Sequence, residues 1–276
     1  MMTPYEQLKA KFTLPNAYND WKEYREFITD LVIGYGQGAE SLAIIGAGRC
    51  NDIDLKRICP LFHDITLVDV DTDSMKVAIF NAPERVHLKQ VSLTGMCEND
   101  TAQVCESLLS SVRESGRRIT GDVYTDILLR ALADIRCKRL PPEELSKQLR
   151  KYDLILCNGV LSQLFSMLSY FVRSLTASVS DATGTDMTDV QRTVDEKFRE
   201  MNDFSIPAIC HAIRASADRY AIFGNEYSES SPVEGSHQCI MANRESGSVQ
   251  KEIPAKWNFN PAGNVVYDML IQVCHK

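Results

Sequence analysis

Residues 41–71 read SLAIIGAGRCNDIDLKRICPLFHDITLVDVD. The apolar run Leu42-Ala43-Ile44-Ile45 halts at Gly46-Ala47-Gly48, and Asn51-Asp52 opens a helix-like segment that Pro60 closes. A second apolar run, Ile65–Val68, ends on Asp69. Short apolar runs of this kind suit strands buried on both faces of a parallel sheet. Strand, glycine turn, helix and carboxylate-tipped strand together predict a nucleoside-binding βαβ unit. Glycine lets the backbone approach a ligand where a Cβ would collide. An acid at the tip of the second strand accepts hydrogen bonds from both hydroxyls of a ribose.

With 276 residues, 44% of them hydrophobic and 24% charged, the chain has the composition of one globular domain, residues 1–276, with one large core. Its net charge of -7 argues against a substrate that needs a broad basic surface, so nucleic acid is not a favoured partner. The basic residues Arg113, Arg117, Arg118, Arg130, Arg136, Lys138 and Arg139 are interleaved with acids and read as a solvated helical face. None of the nine cysteines forms a C-x-x-C pair and the five histidines show no H-E-x-x-H, so no metal site is expected. The cysteines read as small buried hydrophobes in a reducing compartment. There is no 18-residue apolar run and the N-terminal stretch is polar, so the reading places the protein in the cytoplasm, off the membrane.

Residues 1–40 read as an N-terminal helical segment, with apolar residues from Tyr18 to Val32 at helical spacing and Asn19-Asp20 as a cap. Strand one is expected at 42–46, a helix at 52–59 and strand two at 65–69. Thr72-Asp73-Ser74 then caps a helix, Met75–Asn81, that Pro83 stops. Strand three follows at Val86–Val91. Residues 97–150 read as a helical insertion broken at Gly116 and Gly121, with a last helix from 143. Strand four is Leu154–Cys157. Helices follow at Leu161–Val179 and Met187–Ala217, the second interrupted near Pro207, then strand five at Tyr220–Phe223 ended by Gly224. Val265–Val273 reads as a terminal strand, with the late strands open to antiparallel pairing.

The segments IIGAGRCND, TLVDVD, QVSLTG and YDLILCNGVLSQL, in this order and spacing, resemble the class I S-adenosylmethionine-dependent methyltransferases. The resemblance covers most of residues 40–225 and implies a Rossmann-like, doubly wound, mostly parallel α/β sheet, with N-terminal helices, a helical insertion and a late antiparallel strand. It implies S-adenosylmethionine as cofactor. Gly46, Ala47 and Gly48 would contact its amino-acid portion through the backbone, and Asp69 would accept the ribose hydroxyls. Asn51 or Asp52 either binds the ammonium or caps the following helix. Val70 would pack on adenine, Ser92, Leu93 and Thr94 would border it, and Asn158, Gly159 and Val160 would line the mouth of strand four. Two positions depart from the family pattern. Cys50-Asn51 stands where a third glycine is usual, and Ser92 stands where an acid is common. The absent glycine disfavours a dinucleotide, whose pyrophosphate needs close helix–strand packing.

Methyl transfer from a sulfonium is an in-line displacement that needs alignment more than a special base, so no catalytic residue is assigned. The segment Cys157-Asn158-Gly159-Val160 lacks the prolines of the family's Asn/Asp-Pro-Pro-aromatic motif, which lowers the odds of base or glutamine methylation. Substrate-side candidates are Tyr18, Gln163, Glu226 and Tyr227, with His63 and Asn16 beside them. His211 reads as a satisfied helix histidine, and Trp257 and Phe259 read as residues that seal a core. The expected partner is a small or medium-sized acceptor held by the 97–150 and 187–217 regions. The rival readings are a nicotinamide-dependent oxidoreductase and a non-catalytic nucleoside-binding scaffold of the same fold. The sequence leaves the oligomeric state open.

Overall fold

A computed structural model of the chain describes residues 4–11, 13–80, 85–116, 119–136, 141–230 and 233–276. Pro83, Cys137 and the basic residues Arg117, Arg118, Lys138 and Arg139 lie outside the described residues. In chain order the helices are α1 (Pro4–Lys11), α2 (Ala17–Asp20), α3 (Lys22–Tyr35), α4 (Leu55–Ile58), α5 (Thr72–Ala78) and α6 (Glu98–Ser115), then α7 (Gly121–Arg136), α8 (Pro142–Leu149), α9 (Ser166–Thr183), α10 (Thr188–Ser216) and α11 (Ser236–Glu245). The strands are β1 (Ser41–Ile45), β2 (Asp64–Asp69), β3 (Val86–Gln90), β4 (Tyr152–Asn158), β5 (Ala217–Glu226), β6 (Val249–Asn260) and β7 (Val265–His275).

The described residues gather into two compact units. The larger takes Leu14–Ser92, Pro141–Ser162 and Ile206–Lys276, and is built on one seven-stranded sheet in the order β3-β2-β1-β4-β5-β7-β6. Strands β1 to β5 are parallel, Leu42 standing opposite Ile65 on one side and Leu154 on the other, while β7 runs antiparallel to both β5 and β6. Helices α3, α5 and α11 pack along it. This strand order and the reversed β7 are those of the Rossmann-like class I methyltransferase fold. The core explains the apolar runs: Leu42, Ile44, Ile65, Leu67, Leu154 and Leu156 are essentially inaccessible, as parallel strands covered on both faces must be. At the opposite edge from the glycine turn, Asp153 accepts hydrogen bonds from the backbone of Glu40 and Ser41, tying the start of β4 to the start of β1.

The smaller unit gathers the described residues of Met1–Thr13, Leu93–Leu140 and Gln163–Ser205 around Leu108, Tyr124, Leu128, Phe171, Val172 and Val194. Inside it the buried Tyr124 hydroxyl meets the Thr176 hydroxyl at 3.1 Å, so the phenol is not left without a partner.

Several expectations are corrected. The helix expected at 52–59 begins only at Leu55, because Asp54 is the residue whose side chain takes the Lys56 and Arg57 amides. Asn51 and Asp52 therefore do not cap it. Asp71 caps α5 in place of Thr72-Asp73-Ser74, its carboxylate accepting from the Asp73 and Ser74 amides. Asn19 and Asp20 lie inside α2 and cap nothing. α10 runs unbroken through Pro207, held on either side of it by buried Ile206, Ile209, Cys210 and Ile213. Gly224 does not end β5, which continues to Glu226, and β6 is a strand the sequence reading omits. Seven cysteines (50, 59, 105, 157, 210, 239 and 274) are buried free thiols, and Cys97 is exposed. No described helix is long and apolar enough to cross a membrane, and no metal-binding cluster occurs among the described residues.

Candidate functional site

The glycine bend after β1 is held by the end of β2. Gly46 and Ala47 both donate to the Val68 carbonyl, at 2.7 and 3.2 Å. Gly46 has φ +68°, and a Cβ there would fall 2.2 Å from a Val160 methyl, so only glycine fits between the two loops. Gly48, at φ +48°, donates its N–H to Asp69 Oδ2 at 2.8 Å. The other carboxylate oxygen of Asp69 accepts from the Asp71 N–H at 2.9 Å. Burial pushes the Asp69 carboxyl above the ordinary carboxylate range, and the Asp71 and Gly48 amides offset part of that rise. A carboxylate has about four lone-pair sites, so Asp69 keeps acceptor capacity beside the bend. Cys50, where a third glycine is usual, adopts φ +52° with its N–H on the Ala47 carbonyl. The left-handed turn is thus retained without the glycine.

A second constellation joins β1, β4 and α3. Tyr24 donates its phenol to Asn158 Oδ1 at 2.7 Å, and Asn158 Nδ2 donates to Asp52 Oδ2 at 2.5 Å. Asn158 fits because Gly224 has no side chain: a Cβ there would stand 1.9 Å from Asn158 Oδ1. The Asp52 carboxyl is raised by burial, while the Asn158 amide and the nearby Arg25 charge act in the opposite direction. Arg25 is itself buried, stacked 3.7 Å from the Tyr18 ring centroid, and it donates to the Tyr18 and Asn51 carbonyls. Burial, with the Asp52 and Glu226 charges behind it, pushes the Tyr24 phenol well above its usual range. Trp257 stacks on Tyr24 at 4.7 Å, and Trp21 and Phe259 extend the aromatic group.

The structure brings Gly46, Ala47, Gly48, Asn51, Asp52, Asp69, Asn158, Val160 and Tyr18 to the ends of β1, β2 and β4. Val70 follows Asp69, and its carbonyl accepts from the Gln90 amide. Ser92 is half-buried just beyond β3. Gly159 is pressed against Trp257, whose ring would be 2.8 Å from a Cβ there. Glu226 is buried at the end of β5 and accepts the Ser236 hydroxyl at 2.6 Å. Tyr227 turns aside, its hydroxyl on Glu229. Leu93, Thr94 and the exposed Gln163 belong to the helical unit. His63 lies just before β2, at the strand end opposite Asp69, which removes it from the candidates. His211 is exposed on α10 and Asn16 is exposed before α2. Tyr24, Arg25 and Gly224 were missed. Gly224, a glycine inside a buried apolar strand, was the one available signal of a close approach.

No family model matches the chain, and no curated protein matches its sequence. Solved structures similar to it include the N-methyltransferase NodS from Bradyrhizobium japonicum WM9 in complex with S-adenosyl-L-homocysteine, 10% identical with a TM-score of 0.47 over 99% of this chain and 97% of that one. The O-methyltransferase from Bacillus cereus in complex with SAH is 11% identical, with a TM-score of 0.43 over 99% and 98%. The methyltransferase domain of bacterial CtHen1 is 12% identical, with a TM-score of 0.40 over 94% and 100%. By its own strand order, β3-β2-β1-β4-β5-β7-β6 with β7 reversed, the chain has the fold of the class I S-adenosylmethionine-dependent methyltransferases.

Proposed function

We propose that the chain transfers a methyl group from S-adenosylmethionine to a small or medium-sized acceptor. The observation that carries this reading is the Asp69 carboxylate, fixed at the glycine bend by the Gly48 N–H. Its remaining lone pairs suit a ribose diol, and the bare backbone at Gly46–Gly48 suits the amino-acid tail of the donor. Asp52, half-buried and oriented by Asn158, supplies negative charge for an ammonium. Val70 and Ser92 stand on the adenine side. Tyr18 and Glu226 are the acceptor-side candidates.

S-adenosylmethionine supplies a methyl group already activated on a sulfonium. The protein's part is to hold donor and acceptor in line and to keep water out. Titration calorimetry tests the reading. S-adenosylmethionine and its demethylated product should bind, and NAD should not. Asp69→Ala removes charge-assisted hydrogen bonds worth about 1.5–3 kcal/mol each, so affinity of the folded variant should fall at least tenfold. Unchanged affinity in that variant, or preferential binding of NAD, would overturn it.

A further inference from the structure

The helical unit bears a half-open cavity of about 220 Å³. Leu129, Leu132 and Ile135 of α7, Phe165 just before α9, and Met201 and Phe204 of α10 give it an apolar wall. Protein interiors seldom leave voids larger than a water molecule. An apolar cavity of about 150 Å³ lined by Leu, Ile and Phe stays dry and is large enough to take benzene. This one is larger. Phe204 is 49% exposed, so the cavity lies next to the surface and a ligand has a way in.

Charge narrows the occupant. Among the described residues the wall carries two ionic side chains, Lys197 and Glu200, which lie one turn apart on α10 and pair with each other at 2.8 Å. Each neutralises the other, so the described wall offers a charged ligand no net opposite charge in return for the hydration it would lose. Ser205, buried on the same helix, brings one hydroxyl to the wall. Phe165 and Phe204 offer aromatic surface to a planar ring.

We propose that this cavity is a binding site for a compact, neutral aromatic molecule, between a substituted benzene and an indole in size. It stands on the helical unit alone and does not require the methyl-transfer reading.

The test uses the full chain with indole as probe and no nucleoside present. Indole should bind one to one with a Kd below about 1 mM, in keeping with a ligand of so few atoms. Indole-3-acetate and tryptamine, the same ring with either charge, should bind at least tenfold more weakly. The Met201 methyl NMR signal, assigned through Met201→Leu, should shift on titration. Ala133, exposed on α7 and also on the wall, provides the variant: Ala133→Phe should abolish binding while leaving the melting curve in place. If that variant does not fold, Leu129→Trp serves the same purpose. Three results would each overturn the proposal: no binding at millimolar indole, an unmoved Met201 signal, or undiminished binding in a folded cavity-filled variant. Since S-adenosylmethionine is absent throughout, failure of the methyl-transfer reading would leave this outcome unchanged.

Discussion

At Gly46 two demands coincide: a backbone in the left-handed region and a Cβ position already filled by Val160. Gly46→Ala should therefore cost about 2–6 kcal/mol, combining backbone strain of ~1–3 kcal/mol with an overpacking term of similar size. Adding Val160→Ala should recover only the packing part. Denaturant unfolding of both variants checks this, and full recovery would show that the backbone is unstrained. Trp257 makes a different prediction. Its indole N–H is buried with no partner among the described residues, a deficit worth about 1–3 kcal/mol, while its ring packs on Tyr24 and Gly159. Trp257→Phe keeps ring packing and removes the orphan donor, so its stability should stay within about 1 kcal/mol of the parent. Asp69 and the two glycines were legible because their chemistry is local: a strand tip and a turn needing positive φ. Tyr24 was not, because its partner Asn158 is 134 residues away and a tyrosine on an apolar helix face looks like any core residue.

Helix α4 is four residues long and depends on its cap more than a longer helix would. Asp54→Ala removes the acceptor for two amides and should cost about 1 kcal/mol in denaturant unfolding, whereas Asn51→Ala should cost much less. Equal losses at the two positions would refute the assignment of the cap. The sequence reading put this helix start too early because Asn51, Asp52 and Asp54 are all residues that favour caps, and composition does not rank them. Four of the five parallel strands were legible through continuous apolar runs; β3, with His87, Lys89 and Gln90 among its five residues, has none. Strand β6 was not: it holds Pro254, alternates charged and half-buried residues, and lies at the sheet edge, where both features are tolerated. Its place in the sheet comes from pairing with β7, a relation absent from its own composition.

For the whole molecule, carboxyl groups pull stability in opposite directions with pH. Burial raises Asp52 and Asp69, so the folded state binds more protons than the unfolded chain just above the ordinary aspartate range, and their contribution to stability falls as pH rises through that window. Asp153 is the reverse. Burial acts to raise it, but hydrogen bonds from Glu40 and Ser41 outweigh that and leave it lowered, so its contribution is present at neutral pH and lost as pH falls. Asp52→Asn removes one raised group. The melting temperature of this variant relative to the parent should therefore climb as pH rises through and above the ordinary aspartate range. A flat difference would show that Asp52 ionises normally. The distribution of thiols has a consequence of its own. Among the described cysteines, an alkylating reagent added to the folded protein meets Cys97 at once and then stalls at seven interior sulfurs. Burial also holds the Cys105 and Cys274 thiols up at about 12 and about 11, well away from the reactive anion. A mass increment from any of these seven must wait for a segment to open. Label on Cys105 would then time the breathing of the smaller unit, and label on Cys157, Cys239 and Cys274 that of the larger one.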